Sequence, residues 1–296
     1  MRLALWTAPL LVALTLVGST SALGPADHSA KQNGKIAFHS TRGGNLDIFT
    51  IGSDGTGETR LTTAAADDCC RAVWSPDGSK IAFSSERDGN GEIYVMNADG
   101  GGQTRLTRNP KVDLFPSWSP DGRRIAFSRG RNTAFDLYVM RADGSQQRKL
   151  VGGAVYAAWS PNGRKIAYVR VRGDRLWFEV VNADGSRARR LTRGPDDTGP
   201  AWAPAGNRLA FQRAVGGRSA IYAMNADGRA QRRLSRGRSE DGTPSWSPDG
   251  RLIAFGRKVG GTEHIFVMKA DGTGARPLTR GGRGGAVPDW QPIVIR

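Results

Sequence analysis

A repeating unit of 41 to 44 residues is the feature of this sequence that most restricts its fold. Each copy holds a Trp-Ser-Pro-Asp-Gly-like element, an Ile-Ala-Phe-like segment, an Asp-Gly turn and a short segment ending in Leu-Thr or a similar pair. The first element recurs at Trp74, Trp118, Trp159, Trp202, Trp246 and Trp290. Four short segments in a unit of about 40–45 residues are the signature of a propeller blade. The sequence therefore predicts an all-β fold, a six-bladed β-propeller with four strands per blade.

The residues of each segment suit strands that are buried between neighbouring blades. In Ile81-Ala82-Phe83-Ser84 the large side chains fall on one face and the small ones on the other, which lets two sheets stack closely. In Ser-Pro-Asp-Gly, proline presets the first φ, aspartate bonds the local backbone and glycine accepts a positive φ. A helical solenoid is the alternative for a repeat of this length, but glycine and proline interrupt the segments too often.

The two ends of the repeat region complement each other. The first repeat lacks its Trp element, and the last Trp element, Trp290-Gln291-Pro292, lacks the hairpin that should follow it. Placed beside Asn33-Gly34-Lys35, this segment rebuilds the missing hairpin. We therefore expect the propeller to span residues 33–296 and to be closed by the C-terminal strand pairing into the first blade, which removes an open sheet edge.

The N-terminus has the features of a secretory signal peptide. Arg2 precedes an apolar stretch, Leu3 to Val17, and small residues lead to a cleavage site after Ala22. The prediction is a signal peptide at residues 1–22 and a linker at 23–32, with an uncleaved anchor as the alternative. We expect an exported protein, periplasmic or extracellular, with no stable membrane span after cleavage.

The chain carries a net charge of +16, and this charge restricts its partners. A strongly basic protein favours anionic partners. Because the chain is predicted to be exported, nucleic acid is not expected. Envelope proteins, peptides and anionic polymers are better candidates. Arginine is spread over all repeats, so a plain solvated surface is the simpler interpretation. A monomer is expected.

Two adjacent cysteines, Cys69 and Cys70, are the only ones in the chain. Neighbouring Cα atoms lie about 3.8 Å apart, so a bridge between them would be strained. Free or intermolecular thiols are favoured, and a vicinal disulfide stays open because an oxidising compartment permits it. Two cysteines without a nearby histidine do not predict a metal site. No metal and no cofactor are expected.

The repeated Trp-Ser-Pro-Asp-Gly-(Lys/Arg)-x-Ile-Ala-Phe segment resembles the TolB-like propellers, a family built from WD-like repeats. The resemblance covers almost the whole chain after the predicted signal peptide, and six ordered copies make it specific. It implies a six-bladed propeller, usually exported and usually binding proteins or peptides. It extends to the propeller alone, since no separate N-terminal domain is expected before the first repeat.

Candidate binding residues lie in the connections that vary between repeats, since variable loops on a rigid scaffold tend to carry binding sites. Aspartates five residues before a blade Trp could form an acidic ring at the channel mouth for a cation or a basic peptide; the alternative is local turn capping. Arginines after the Ile-Ala-Phe strands could form an outer basic girdle; the alternative is solvated surface. The candidates are Asp113, Asp197, Asp241, Arg129, Arg131, Arg170 and Arg172.

One repeat is irregular, because Glu179 stands where the other repeats have Tyr or Phe. A local bulge that moves Phe178 or Trp177 into this position is one interpretation. No Gly-x-Ser-x-Gly motif occurs, and His39 and His264 lack metal-ligand spacing. The sequence thus predicts an exported non-catalytic scaffold that binds a protein or peptide. The alternative is a glycan-acting lyase or hydrolase that uses the acidic residues at the channel mouth.

Overall fold

The computed structural model describes residues 33–194, 196–237, 239–279 and 285–293. The predicted signal peptide and linker lie outside the described residues. All regular elements in the described ranges are β-strands, and they form six antiparallel sheets of four strands. None of the described residues belongs to a helix long and apolar enough to cross a membrane. The predicted all-β propeller with four strands per blade is confirmed.

The six sheets are numbered here as blades 1 to 6. Blade 1 contains β1 (Ile36–Ser40), β2 (Asp47–Ile51), β3 (Thr59–Arg60) and the C-terminal β24 (Gly285–Trp290). Blade 2 contains β4 (Asp68–Trp74), β5 (Lys80–Ser85), β6 (Glu92–Asn97) and β7 (Thr104–Arg105). Blade 3 contains β8 (Val112–Trp118), β9 (Arg124–Arg131), β10 (Ala134–Arg141) and β11 (Arg148–Val151).

The second half of the ring repeats this order. Blade 4 contains β12 (Ala154–Trp159), β13 (Lys165–Arg172), β14 (Arg175–Asn182) and β15 (Arg189–Arg190). Blade 5 contains β16 (Asp197–Trp202), β17 (Arg208–Val215), β18 (Arg218–Asn225) and β19 (Arg232–Arg233). Blade 6 contains β20 (Glu240–Trp246), β21 (Leu252–Val259), β22 (Thr262–Lys269) and β23 (Arg276–Pro277).

The ring closes through the C-terminal strand, as predicted. β24 pairs antiparallel with β1, with Trp290 opposite Ile36 and Gly285 opposite Ser40. One more backbone bond extends this pairing beyond the two strands, since the N–H of Gln291 donates to the carbonyl of Lys35 at 2.8 Å. Strand β24 is therefore the innermost strand of blade 1, and blade 1 is assembled from both ends of the propeller.

The hydrophobic core lies between successive blades. At the interface of blades 1 and 2, Ala37 and Ile48 pack against Trp74, Ile81 and Phe83. Corresponding clusters fill the other five interfaces, including the one between blades 6 and 1. Small residues of one sheet face large residues of the next, which permits the close packing that the sequence pattern predicts.

Two kinds of hairpin lie on one end of the ring, called the turn face below. In blade 3 the Ser119 hydroxyl donates to Asp121 at 2.5 Å, and the backbone N–H of Arg124 donates to the same hydroxyl at 2.9 Å. Between the third and fourth strands, Asp143 accepts the backbone N–H of Ser145 at 2.9 Å. The same pattern recurs around the ring, so this face is built from nearly identical turns.

The opposite end, called the variable face, differs from blade to blade. In blades 1 and 2 the second and third strands are joined by residues 41–46 and 86–91. In blades 3 to 6 both strands have eight residues and two residues join them. Four hairpins on this face therefore end in tight two-residue tips, whereas blades 1 and 2 end in six-residue loops.

Candidate functional site

The aspartates predicted for the channel mouth are held by arginines of the neighbouring strand. In blade 3, Asp113 is fully buried and accepts two bonds from Arg129, at 2.7 Å from Nε and 2.6 Å from Nη2. The equivalent bidentate pairs are Asp197–Arg213 and Asp241–Arg257. Both carboxylate oxygens meet the guanidinium in each pair, a geometry typical of a strong charge-assisted interaction. The aspartates of the predicted acidic ring are thus partners of arginines that include Arg129 of the predicted basic girdle.

An aromatic pair supports each of these arginines. The guanidinium of Arg129 lies 5.2 Å from the ring centre of Phe127 and 4.9 Å from that of Tyr138. Blades 2, 5 and 6 repeat the arrangement with Arg87, Arg213 and Arg257. A guanidinium over aromatic faces gains cation–π attraction while its edge bonds the carboxylate. We call the unit of aspartate, arginine and aromatic pair the Asp–Arg clamp.

Burial and hydrogen bonding act against each other within the clamp. Burial raises the pKa of Asp113, and the bonds from Arg129 oppose that rise. In blade 5 the hydrogen bonds to Asp197 raise the pKa of Arg213. Each charge is therefore compensated by its partner inside the blade, and loss of either partner would leave the other buried and unpaired.

In blade 2 the aspartate of the clamp does not stand at the position that the spacing in blades 3, 5 and 6 predicts. Asp68 is fully buried and accepts bonds of 2.9 and 2.8 Å from Nη2 of Arg87, yet it stands six residues before Trp74 instead of five. The pairing of β4 with β5 explains the shift, because four residue steps on β4 correspond to two on β5. In the other blades three steps correspond to two. One inserted residue in β4 therefore moves the aspartate along the sequence but not in space.

Blade 4 keeps the arginine and changes the acid. Arg170 pairs with Ala154, and its Nη2 donates to Glu179 at 2.7 Å. Glu179 also accepts bonds from the Tyr168 hydroxyl at 2.5 Å and the Trp177 indole at 2.9 Å. The register of β13 with β14 is continuous, so the expected local bulge is wrong. Glu179 replaces the missing aspartate, which accounts for the irregular repeat.

Blade 1 lacks the acid of the clamp. Gly285 stands opposite Ser40, as Asp68 stands opposite Ser85 in blade 2. A Cβ atom at Gly285 would lie 2.5 Å from the Phe38 ring, so no side chain fits there. The aromatic pair is kept, since the rings of Phe38 and Phe49 stack at 5.8 Å.

Two of the predicted binding residues remain open to solvent. Arg131 and Arg172 are exposed at the hairpin tips of blades 3 and 4. At the same strand position in blades 5 and 6 stand Val215, 55% exposed, and Val259, 50% exposed. These valines are the exposed large hydrophobic residues of the described ranges. The tips of blades 3 to 6 thus present two arginines and two valines to solvent on the variable face.

The structure joins Cys69 and Cys70 as a vicinal disulfide with a Cα–Cα distance of 3.8 Å. Cys69 is buried and Cys70 is half-buried. Elsewhere, within the described residues, no three His, Cys, Asp or Glu side chains lie close enough to hold a metal ion. Burial lowers the pKa of His39 to about 4.

Solved structures with the same fold include three that illustrate its range. TolB from Acinetobacter baumannii has a TM-score of 0.78 at 20% identity, over 89% of this chain and 68% of that chain. A nidogen/laminin complex has a TM-score of 0.66 at 14% identity, over 86% and 98%. Oligogalacturonate lyase from Vibrio parahaemolyticus has a TM-score of 0.57 at 13% identity, over 82% and 73%. At these identities the likeness concerns the fold alone.

Sequence comparison identifies the family. A search of curated proteins found no match. A family model, the TolB beta propeller domain, matches residues 26–197 and 196–293, nearly the whole repeat region on which the resemblance was based. The chain therefore belongs to the TolB beta propeller family.

Proposed function

We propose that this propeller is an exported, non-catalytic scaffold that binds a protein or peptide on its variable face and at the channel mouth. The observation that carries the proposal is the set of exposed tips on blades 3 to 6, where Arg131 and Arg172 stand beside Val215 and Val259. Protein interfaces combine apolar side chains with arginine, so a partner could use both kinds of group on these tips.

The turn face supports this choice by contrast. Its aspartates and serines bond their own turns, so these polar groups are already occupied. On the variable face the charged groups near the channel are occupied as well, in the Asp–Arg clamps. The tips offer exposed side chains to a partner, on strands that the clamps join to their neighbours.

The chemistry of the tips indicates the kind of partner. Arg131, Arg172, Arg175 and Arg218 are all exposed on this face. The net charge of +16 adds long-range attraction for an acidic surface. We therefore favour an acidic envelope protein or peptide with apolar groups, bound by a monomeric propeller. Export is inferred from the predicted signal peptide at residues 1–22 and from the family.

A glycan-acting lyase or hydrolase is the second candidate, and the fold shared with an oligogalacturonate lyase is its support. The acids considered for such chemistry, Asp113, Asp197 and Asp241, are buried and bonded to arginines at both oxygens. A general acid or base needs an oxygen that reaches the substrate. We therefore place the scaffold before the enzyme.

The experiment compares two double charge reversals of equal size. R131E/R172E changes the variable face, and R123E/R164E changes exposed arginines on the turn face. Immobilised protein is exposed to envelope extract, and any captured protein is identified and its affinity measured with the purified partner. We expect R131E/R172E to lower the affinity for the partner at least tenfold and R123E/R164E to bind the partner like the wild type.

Three outcomes would count against the proposal. Equal losses for both variants would show nonspecific charge attraction. Unchanged binding by R131E/R172E would place the partner elsewhere. Turnover of an acidic glycan by the purified protein would favour the enzyme.

A further inference from the structure

The innermost strands share a bulge at one position, three residues before each blade Trp. The residue there has a positive φ in every blade, between 36° and 77°. The six residues are Arg71, Phe115, Tyr156, Gly199, Thr243 and Val287. They leave the ladder of their own sheet. Because the innermost strands surround the central channel, these bulges form a ring in its wall.

Contacts between blades show that these side chains reach into the channel. The rings of Phe115 in blade 3 and Tyr156 in blade 4 lie with centres 4.0 Å apart. Nη1 of Arg71, in blade 2, donates to the carbonyl of Ala157 in blade 4 at 3.2 Å. Blades 2 and 4 are separated by blade 3, so Arg71 crosses part of the channel to make this bond.

Blade 2 differs from the other blades in how it presents its bulge residue. The inserted residue of β4 is Cys70, which has a φ of 59° directly before Arg71 at 77°. Two consecutive non-glycine residues in the left-handed region are conformationally unfavourable. The disulfide joins Cys70 to Cys69 inside this bulge. The covalent bond ties down the segment that carries Arg71 and limits its alternatives.

Arg71 has capacity for a ligand. A guanidinium has five N–H donors, and within the described residues its hydrogen bond is the one to Ala157. Asp289 interacts with it electrostatically, but among the described residues the hydrogen bonds of that carboxylate come from other groups, such as the backbone N–H of Trp74 at 2.9 Å. Burial lowers the pKa of Arg71, and the nearby Asp289 and Tyr156 oppose that shift.

The residues around Arg71 indicate which kind of anion it would bind. A planar fork of donors matches a carboxylate, and it can bind both oxygens at once. The Phe115–Tyr156 pair beside it offers an apolar surface for the group that bears the carboxylate.

We propose that the central channel binds a carboxylate attached to an apolar group, held by Arg71 against the Phe115–Tyr156 pair, and that the Cys69–Cys70 disulfide positions Arg71 for it. This deepens the proposed function, since the C-terminus of a bound peptide is one source of such a group. A small organic acid is the other source.

The test uses isothermal titration with three probes. They are N-acetyl-Gly-Gly-Phe as the free acid, the same peptide as its C-terminal amide, and benzoate. The wild-type protein should bind the free acid at least ten times more tightly than the amide. Benzoate binding as tightly as the peptide acid would assign the site to small acids, whereas a clear preference for the peptide would assign it to a C-terminus.

Two variants locate the site. R71Q should lose at least tenfold in affinity for the acid and bind acid and amide alike, whereas R123Q, changed at an exposed residue of the turn face, should bind like the wild type. C69S/C70S, which retains Arg71, should bind the acid with several-fold lower affinity. Melting temperatures of all variants establish that they are folded.

The proposal is overturned if the wild type binds acid and amide equally or binds no carboxylate at millimolar concentration. It is also overturned if R71Q, folded, binds the acid like the wild type. Full affinity in C69S/C70S would remove the role of the disulfide. Because R71Q leaves the tips unchanged, capture of a partner through the tips can persist while the carboxylate site fails, so the two proposals can fail separately.

Discussion

The two faces of this propeller are stabilised by contacts between residues at different separations along the chain. On the turn face, Ser119 and Asp121 bond within one turn, two residues apart. On the variable face, Asp113 and Arg129 are joined across sixteen residues and two strands. Turns of the first kind are fixed by adjacent residues and can be repeated almost unchanged. Clamps of the second kind exist only after the strands have paired.

This difference determines where variation is tolerated. The turn face changes little, and its departure in blade 5, where Ala203 and Ala205 replace serine and aspartate, still gives a closed turn with Gly206 donating to Ala203 at 2.8 Å. On the variable face the clamp is buried and the tips beyond it are exposed. Stability is thus concentrated beneath the surface that is free to bind.

Removing the acid of a clamp should give the largest effect. Asp113→Ala leaves Arg129, itself 8% exposed, without its partner. Breaking a buried ion pair from one side typically costs about 3–5 kcal/mol. We expect the free energy of unfolding, measured by denaturant titration, to fall by that amount.

Asp121→Ala in the same blade is the matched control on the turn face. It removes a largely solvated turn bond worth about 0.5–1.5 kcal/mol. If the two variants lose the same stability, the distinction between local and long-range order in the two faces is wrong.

The next effect concerns Asp289, which lies in β24 beside the channel between the faces. Burial raises its pKa from 3.8 to about 6. The folded state thus holds this proton more tightly than the unfolded state, so the contribution to stability is full below about pH 3.8 and declines as the pH rises through 6.

Asp289→Asn should remove that decline, because an amide oxygen can still accept the backbone N–H of Trp74. We expect the variant to gain in melting temperature relative to wild type between pH 4 and pH 7.5. A difference that stays constant over this range would show that Asp289 does not titrate as proposed.

A smaller, stabilising effect is expected from restoring the turn of blade 5. A203S/A205D introduces the serine–aspartate bond found in blade 3, at a hairpin where Ala203 is already buried. One added hydrogen bond is worth about 0.5–1.5 kcal/mol. Chemical denaturation should show an increase of that size. A loss of stability would mean that neighbouring residues, not the turn sequence, determine the geometry there.

The blades and their closure could be predicted from the sequence, because turn residues and strand periodicity act locally and recur at nearly fixed spacing. The clamps were missed, because Asp113 and Arg129 become neighbours only through strand register. A signal was present, since the separation of sixteen residues recurs in Asp197–Arg213 and Asp241–Arg257. The insertion of Cys70 places Asp68 one residue farther from Trp74 than the aspartates of the other clamps are from their Trp. Counting residues back from Trp74 therefore does not identify Asp68 as a clamp residue.

The smallest effect on stability is expected at the tips themselves. Arg131 and Arg172 are exposed, and Arg131 makes one long bond, 3.4 Å, to the carbonyl of Pro110. Surface substitutions without buried partners usually change stability by less than about 0.5 kcal/mol. R131E/R172E should therefore melt within about 2 °C of the wild type for a chain of this size. If it unfolded like Asp113→Ala, the tips would be part of the scaffold and their exposure could no longer be explained by a partner.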